Sequence, residues 1–271
     1  MARSGFARLT RREPILYFEV HGQEGPYLLL VHGFLSSRAH WLLNLEALSV
    51  SFRPVVIELL GHARSPSPDD RAAYSPDAYV SEFEVIRRFL GVNRWFLCGQ
   101  SLGAALTLRY SLDHPDRIIA QVFTNSNSAL AGGDWAKRVM PVMEAQARQL
   151  EQQGRAALDT HPFRPTRSRR LPPAARAALA TDYELHNPIG IARTAVHTIP
   201  YSSVRDRVAT NQVPTLLVAG DREEGFRDQA RFAEKAIPSI SVAHLDTGHA
   251  VNIEDAPGFN AAVTEFLASL R

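Results

Sequence analysis

A chain of 271 residues is long for one simple domain and short for two full ones. With 45% hydrophobic and 21% charged residues it has material for a substantial core, which excludes wholesale disorder. The formal net charge of +2 gives no reason to expect a nucleic-acid partner, and the single cysteine, Cys98, excludes a disulfide framework and a cysteine-rich zinc site.

In chain order, the first ten residues contain Arg3 and Arg8 but no apolar stretch long enough for a leader. No apolar run approaches the ~20 residues of a membrane span, so the chain reads as cytoplasmic with no membrane partner. Residues 15–20 and 27–31 read as strands around a Gly-rich turn, and 53–59 as a third. In 75–90 the apolar residues Tyr79, Val80, Phe83, Ile86, Phe89 and Leu90 recur at three and four, as one helix face requires. Ser75 is its expected N-cap, Pro76 its first residue and Gly91 its stop. Strand 95–98 and helix 102–112 follow, then strands 118–124, 215–219 and 241–245 and a last helix over 257–270. β-Rich runs separated by helices predict a parallel sheet covered on both faces. The middle, 126–210, has no comparable strand and reads as an inserted helical unit, with helices near 142–150 and 174–183. The expected division is a core of 1–125 and 211–271 and a cap of 126–210.

The sharpest local signal is Gly99-Gln100-Ser101-Leu102-Gly103, a Gly-x-Ser-x-Gly between a strand and a helix. Such a turn forces its serine into a strained conformation, and glycines let strand and helix approach closely. Ser101 is therefore the expected nucleophile, exposed at a helix N-terminus where N–H groups favour an oxyanion. A serine needs a base with a pKa near neutral, and His249, in Asp246-Thr247-Gly248-His249 after the last strand, sits best among ten histidines. A carboxylate must orient it, and Gly220-Asp221-Arg222-Glu223-Glu224-Gly225-Phe226, after strand 215–219, offers three.

These segments, with Val31-His32-Gly33-Phe34 and Leu59-Leu60-Gly61-His62-Ala63-Arg64-Ser65, resemble the α/β-hydrolase superfamily. The resemblance runs from Leu28 to Leu270 apart from the insertion. It implies a mostly parallel sheet flanked by helices, with a helical cap after the family's sixth strand. It implies that the backbone N–H groups of Phe34 and Leu102 form the oxyanion hole, and that Phe34, Gln100 and Phe226 line the pocket. His32 is expected to buttress its loop, and the 59–65 turn to be structural, with Ala63 where the family has Gly. The usual acid is an Asp three residues after the Gly, a position held here by Glu223, so a longer Glu serves or a shifted loop brings in Asp221 or Glu224. The implied reaction is hydrolysis of a carboxylic ester or lactone, needing no metal or other cofactor.

The loop 32–37 and the stretch 220–226 also resemble the menaquinone-pathway synthase group that eliminates pyruvate. That group carries an arginine where this chain has Ala105. The same triad would also serve C–C bond hydrolysis, or be retained in a slow-turnover small-molecule receptor. Arg164, Arg167, Arg169, Arg170 and Arg176 crowd the insertion, where they form either a solvated surface or a carboxylate clamp. Cys98 is expected to be a packing residue. The substrate, a small molecule, and the oligomeric state stay open.

Overall fold

The computed structural model describes residues 12–270, and the leader-free reading of the first ten residues lies outside this range. Seven strands occur among the described residues: β1 (Phe18–Val20), β2 (Tyr27–Val31), β3 (Arg53–Ile57), β4 (Trp95–Gly99), β5 (Ile118–Thr124), β6 (Thr215–Gly220) and β7 (Ile240–Leu245). They form one sheet in the order β1-β3-β2-β4-β5-β6-β7. Only β1 is antiparallel. It is shorter than the expected 15–20, because the N–H groups of Ile15 and Tyr17 donate to Glu82 and Ser65 side chains instead of a ladder.

The helices are α1 (Leu42–Ser49), α2 (Pro76–Phe89), α3 (Leu102–Asp113), α4 (Trp135–Gln153), α5 (Arg155–Thr160), α6 (Pro173–Tyr183), α7 (Pro188–His197), α8 (Arg227–Ala236), α9 (Val251–Glu254) and α10 (Ala256–Ala268). Alternate strand residues serve opposite faces. Leu29, Val31 and Leu97 pack with Phe83, Ile86 and Tyr110. Leu28, Leu30, Phe96 and Cys98 pack with Trp41, Phe259 and Val263. Each face removes large apolar side chains from water, the main stabilising term of such a core. The α2 boundaries follow the expected signals: Ser75 Oγ accepts from the Ala78 N–H at 3.2 Å, and Gly91 takes a φ of 70°. Cys98 is fully buried.

Between β5 and β6 run α4 to α7 and no strand. Helix α4 starts well before the expected residue 142 and carries Pro141 inside it. Proline removes its own N–H and crowds the carbonyl four residues back, and here both Pro141 and Lys137 lie on the exposed side of the helix. These helices have a core of their own, built on Leu150, Leu158, Tyr183 and Ile191, into which Leu35 of the main unit inserts.

Helix α7 stands on the 59–65 turn. Gly61 has a φ of 77°, and a Cβ there would overlap the backbone of Gly190. The Asn187 N–H donates to Gly61 O at 3.0 Å, and Thr194 Oγ1 to Leu60 O at 3.2 Å. Gly61→Ala adds left-handed strain to backbone overlap, and the two together should cost about 3 kcal/mol. The expected result is a Tm lower by about 6–12 °C, read by calorimetry. An unchanged Tm would show that the two backbones separate freely.

Candidate active site

The sheet changes winding direction between β2 and β4, since β3 lies beyond β2 and β5 beyond β4. Loops leaving the carboxyl ends of such neighbouring strands diverge and leave a crevice. Val31 pairs with Gly99, so the chain after β2 and the chain after β4 open side by side. The first carries His32-Gly33-Phe34 and the second Gln100-Ser101-Leu102.

Ser101 has φ 52° and ψ −116°, the strained conformation expected of the elbow. Its flanking glycines have steric reasons. A Cβ on Gly99 would strike Gly103 O and Thr107 Oγ1, and one on Gly103 would strike Val31 O. A Cβ on Gly33 would lie 2.9 Å from Ser101 Cβ, so the Gly33–Phe34 peptide passes directly against the serine. Leu102 opens α3, where the backbone N–H has no partner within the helix.

His249 Nδ1 lies 3.0 and 2.9 Å from the two carboxylate oxygens of Glu223. Asp221 instead meets His244, at 2.9 Å, with both side chains more than half exposed. Glu224 is exposed, 3.9 Å from Arg227. Asn125 Nδ2 donates to Glu223 Oε2 at 2.8 Å, and Asn127 Nδ2 to Oε1 at 3.2 Å. Burial works to raise the Glu223 carboxyl, but the hydrogen bonds from His249, Asn125 and Asn127 outweigh it and hold the group below the ordinary carboxylate value. Glu223 is therefore an anion. With Nδ1 donating to it, His249 keeps Nε2 as the basic nitrogen. The two asparagines were missed by sequence reasoning; their signal is the polar run Asn125-Ser126-Asn127 directly after a buried strand.

Ser101 and His249 line one cavity of about 140 Å³ with Phe34, Gln100, Phe163 and Leu171. Gln100 Nε2 donates to His249 O at 3.3 Å, which ties the two loops together. Phe226, expected in the pocket, is instead 1% exposed and packs in the core with Leu217, Ala219 and Ala233. The short 3₁₀ turn Glu224–Phe226 folds its ring back under the sheet edge. Arg164 is held by Asp159 and Glu184. Arg170 lies over Gly248, beside the His249 loop. Arg176 donates to Ser168 O at 3.3 Å. Among the described residues, no group of His, Cys, Asp and Glu could hold a metal ion, and no helix is long and apolar enough to cross a membrane.

Five further histidines are buried among the described residues: His32, His40, His62, His161 and His186. Burial pushes the imidazoles of His32, His40 and His62 from 6.5 to about 3. The unfolded chain takes up these protons near pH 6.5, whereas the folded protein refuses them down to about pH 3. Between those values the unfolded state binds more protons, so stability falls as pH falls, by about 1.4 kcal/mol per pH unit for each histidine. Melting curves across pH should show a Tm that is level above about pH 7 and drops steeply below about pH 6. A Tm level down to pH 4.5 would contradict neutral burial.

The comparisons with known proteins agree with this fold. A family model described as alpha/beta hydrolase fold matches residues 26–256. A Bacillus subtilis (strain 168) protein provisionally named 2-succinyl-6-hydroxy-2,4-cyclohexadiene-1-carboxylate synthase is 28% identical over 257 residues, covering 91% of this chain and 93% of its own. Carboxylesterase YbfK of the same organism is 25% identical over 249 residues, covering 90% and 81%. The solved structure of the enol-lactonase from Burkholderia xenovorans LB400 superposes with a TM-score of 0.77 at 22% identity, covering 93% of this chain and 96% of that one. The chain belongs to the α/β-hydrolase fold family.

Proposed function

We propose that the protein is a serine hydrolase that cleaves a carboxylic ester or lactone through an acyl-enzyme. The observation that carries this reading is the contact of His249 Nδ1 with Glu223, beside a serine held at φ 52° on the same cavity. In this reading His249 Nε2 takes the Ser101 hydroxyl proton as Oγ attacks the carbonyl carbon. The oxyanion is held by the N–H groups of Phe34 and Leu102, a contribution of about 3–4 kcal/mol per donor. The same histidine, now protonated, gives its proton to the leaving alkoxide. It then takes a proton from water, which attacks the acyl carbon, and returns that proton to Ser101 Oγ as the acid leaves. Glu223 holds the ring and stabilises the imidazolium without itself being protonated. The segment 126–210 acts as a cap over this site. The cavity of about 140 Å³ is small against the ~300–1,000 Å³ of drug-sized pockets, so short acyl groups are the fitting substrates.

A second reading is favoured by the synthase relative, whose likeness covers 91% of this chain. Elimination of pyruvate would use the same base and oxyanion hole. Against it, Ala105, at the expected arginine position, is buried in the core and presents no cation to the site. The test is hydrolysis of p-nitrophenyl acetate and butyrate together with labelling by a fluorophosphonate. An enzyme that labels at Ser101 and turns over esters fits the proposal. Labelling without turnover marks a slow receptor, and the absence of both signals overturns the hydrolase reading.

A further inference from the structure

One wall of the Ser101 cavity is polar, and the catalytic steps leave it unused. Ser36 and His40 line the cavity beside Phe34 and Ser101. His40 lies in the 3₁₀ turn Arg38–Trp41 and is 6% exposed. Its Nδ1 stands 3.1 Å from Ser36 Oγ, and its Nε2 2.8 Å from Asn252 Oδ1. Which nitrogen carries the proton decides what Ser36 can offer a substrate.

Two backbone carbonyls set the tautomer, because a carbonyl oxygen only accepts. Asn252 Nδ2 donates to His40 O at 2.9 Å, which fixes the NH₂ end there and leaves Oδ1 facing the imidazole. The same NH₂ donates to Asn44 Oδ1 at 3.0 Å, and Asn44 is fixed in turn because its Nδ2 donates to Asn252 O at 2.9 Å. An amide oxygen cannot donate, so His40 Nε2 must carry a hydrogen. Burial holds the ring neutral, its imidazole pushed down to about 3, so Nδ1 carries none. Ser36 must therefore donate its O–H to Nδ1. With that hydrogen committed to His40, Ser36 presents lone pairs to the cavity. Among the described residues no other hydrogen bond engages that oxygen.

The rest of the wall limits what can meet it. Leu171, Leu179 and Ile253 are apolar, and no Lys, Arg, Asp or Glu lines the cavity. A charged group would lose water there without a counter-charge. A neutral donor fits, and on a short acyl chain that donor is a hydroxyl.

We propose that Ser36 is a specificity-determining residue, a hydrogen-bond acceptor oriented by His40 that selects hydroxy-substituted short acyl esters and the corresponding lactones. The proposal rests on the serine-hydrolase reading above and names the acyl class within it. A substrate oxygen that can only accept would meet the Ser36 lone pairs and be disfavoured.

The test compares kcat/KM for ethyl 2-hydroxybutyrate and 3-hydroxybutyrate, each enantiomer separately, with ethyl butyrate and ethyl acetoacetate, followed by pH-stat titration. Every ester has the same intrinsic reactivity toward both proteins, so the change in a ratio between wild type and Ser36→Ala isolates the side chain. The ratio of the best hydroxy ester to butyrate should fall about 10-fold in Ser36→Ala, the scale of one neutral hydrogen bond. The ratio of acetoacetate to butyrate should rise in the same variant. Ser36→Thr keeps the hydroxyl and should keep the hydroxy preference. His40→Phe frees the Ser36 O–H to turn and donate, so it should raise acetoacetate relative to butyrate by about five-fold or more. A purely structural role for the pair would shift Tm and leave these ratios alone. A fall of less than about three-fold in Ser36→Ala overturns the proposal, even where His40→Phe fails to fold. A wild type that neither labels with the fluorophosphonate nor hydrolyses any of these esters sinks the hydrolase reading. A wild type that labels and hydrolyses, with its ratios unmoved in Ser36→Ala, sinks only this inference.

Discussion

Ser101→Ala should lower kcat on a short-chain p-nitrophenyl ester by about 10⁶-fold, the loss typical of removing a triad nucleophile. The hydroxyl makes no cap bond to α3, so its removal leaves the helix start intact. The strained backbone at φ 52° persists with alanine, since the glycines on either side, not the hydroxyl, allow it. Thermal stability should therefore match wild type, and fluorophosphonate labelling should vanish. What remains is the residual catalysis of the oxyanion hole and binding, about 10³–10⁴ over water. An alanine variant that keeps as much as a hundredth of the activity would mean that another group attacks the substrate.

The second large effect separates Glu223 from its neighbours. Glu223→Gln should cost about 10⁴-fold in kcat, and Asp221→Asn less than about two-fold. The reason lies in the donors around Glu223. Asn125 and Asn127 both present N–H groups to its oxygens. They donate to different oxygens, so in the Gln variant the amide NH₂ replaces one acceptor, and it faces a donor asparagine and His249 Nδ1 together. When His249 Nδ1 accepts from that amide, its proton moves to Nε2, and the ring is no longer a base for Ser101. Asp221 has only an exposed pairing with His244, a contact of little energetic weight. Steady-state kinetics of the two variants decides it, and near-full activity of Glu223→Gln would move the acid to another residue.

Much of this was legible because the responsible signals are local. Gly-x-Ser-x-Gly between an apolar strand and a helix specifies its turn sterically, and Ser75-Pro76 specifies the start of α2 by capping. Glu223 was offered by the family resemblance, beside Asp221 and Glu224, and its contact with His249, like that of Asp221 with His244, is set by the loop in three dimensions. What escaped is mostly non-local. Asn125 and Asn127 lie 98 and 96 residues from Glu223, and no spacing rule links them. Helix α7 escaped too, although Asn187-Pro188 caps it, with Asn187 Oδ1 accepting from the Gly190 N–H at 3.0 Å. Phe226 belongs to the pocket only by analogy, whereas packing under β6 decides its direction.

The contact of Gly61 with Gly190 bears on modularity. The chain boundaries 126 and 210 suggest a cassette that recombination could exchange between relatives. The foot of α7, however, is shaped against a turn encoded some 130 residues earlier in the chain. An exchanged cassette would inherit a seat cut for another helix, so the heritable unit is the cassette together with the 59–65 turn. The stretch between α5 and α6 is not part of that seam, so cavity-lining residues in it, such as Phe163 and Leu171, can change without re-cutting the seat.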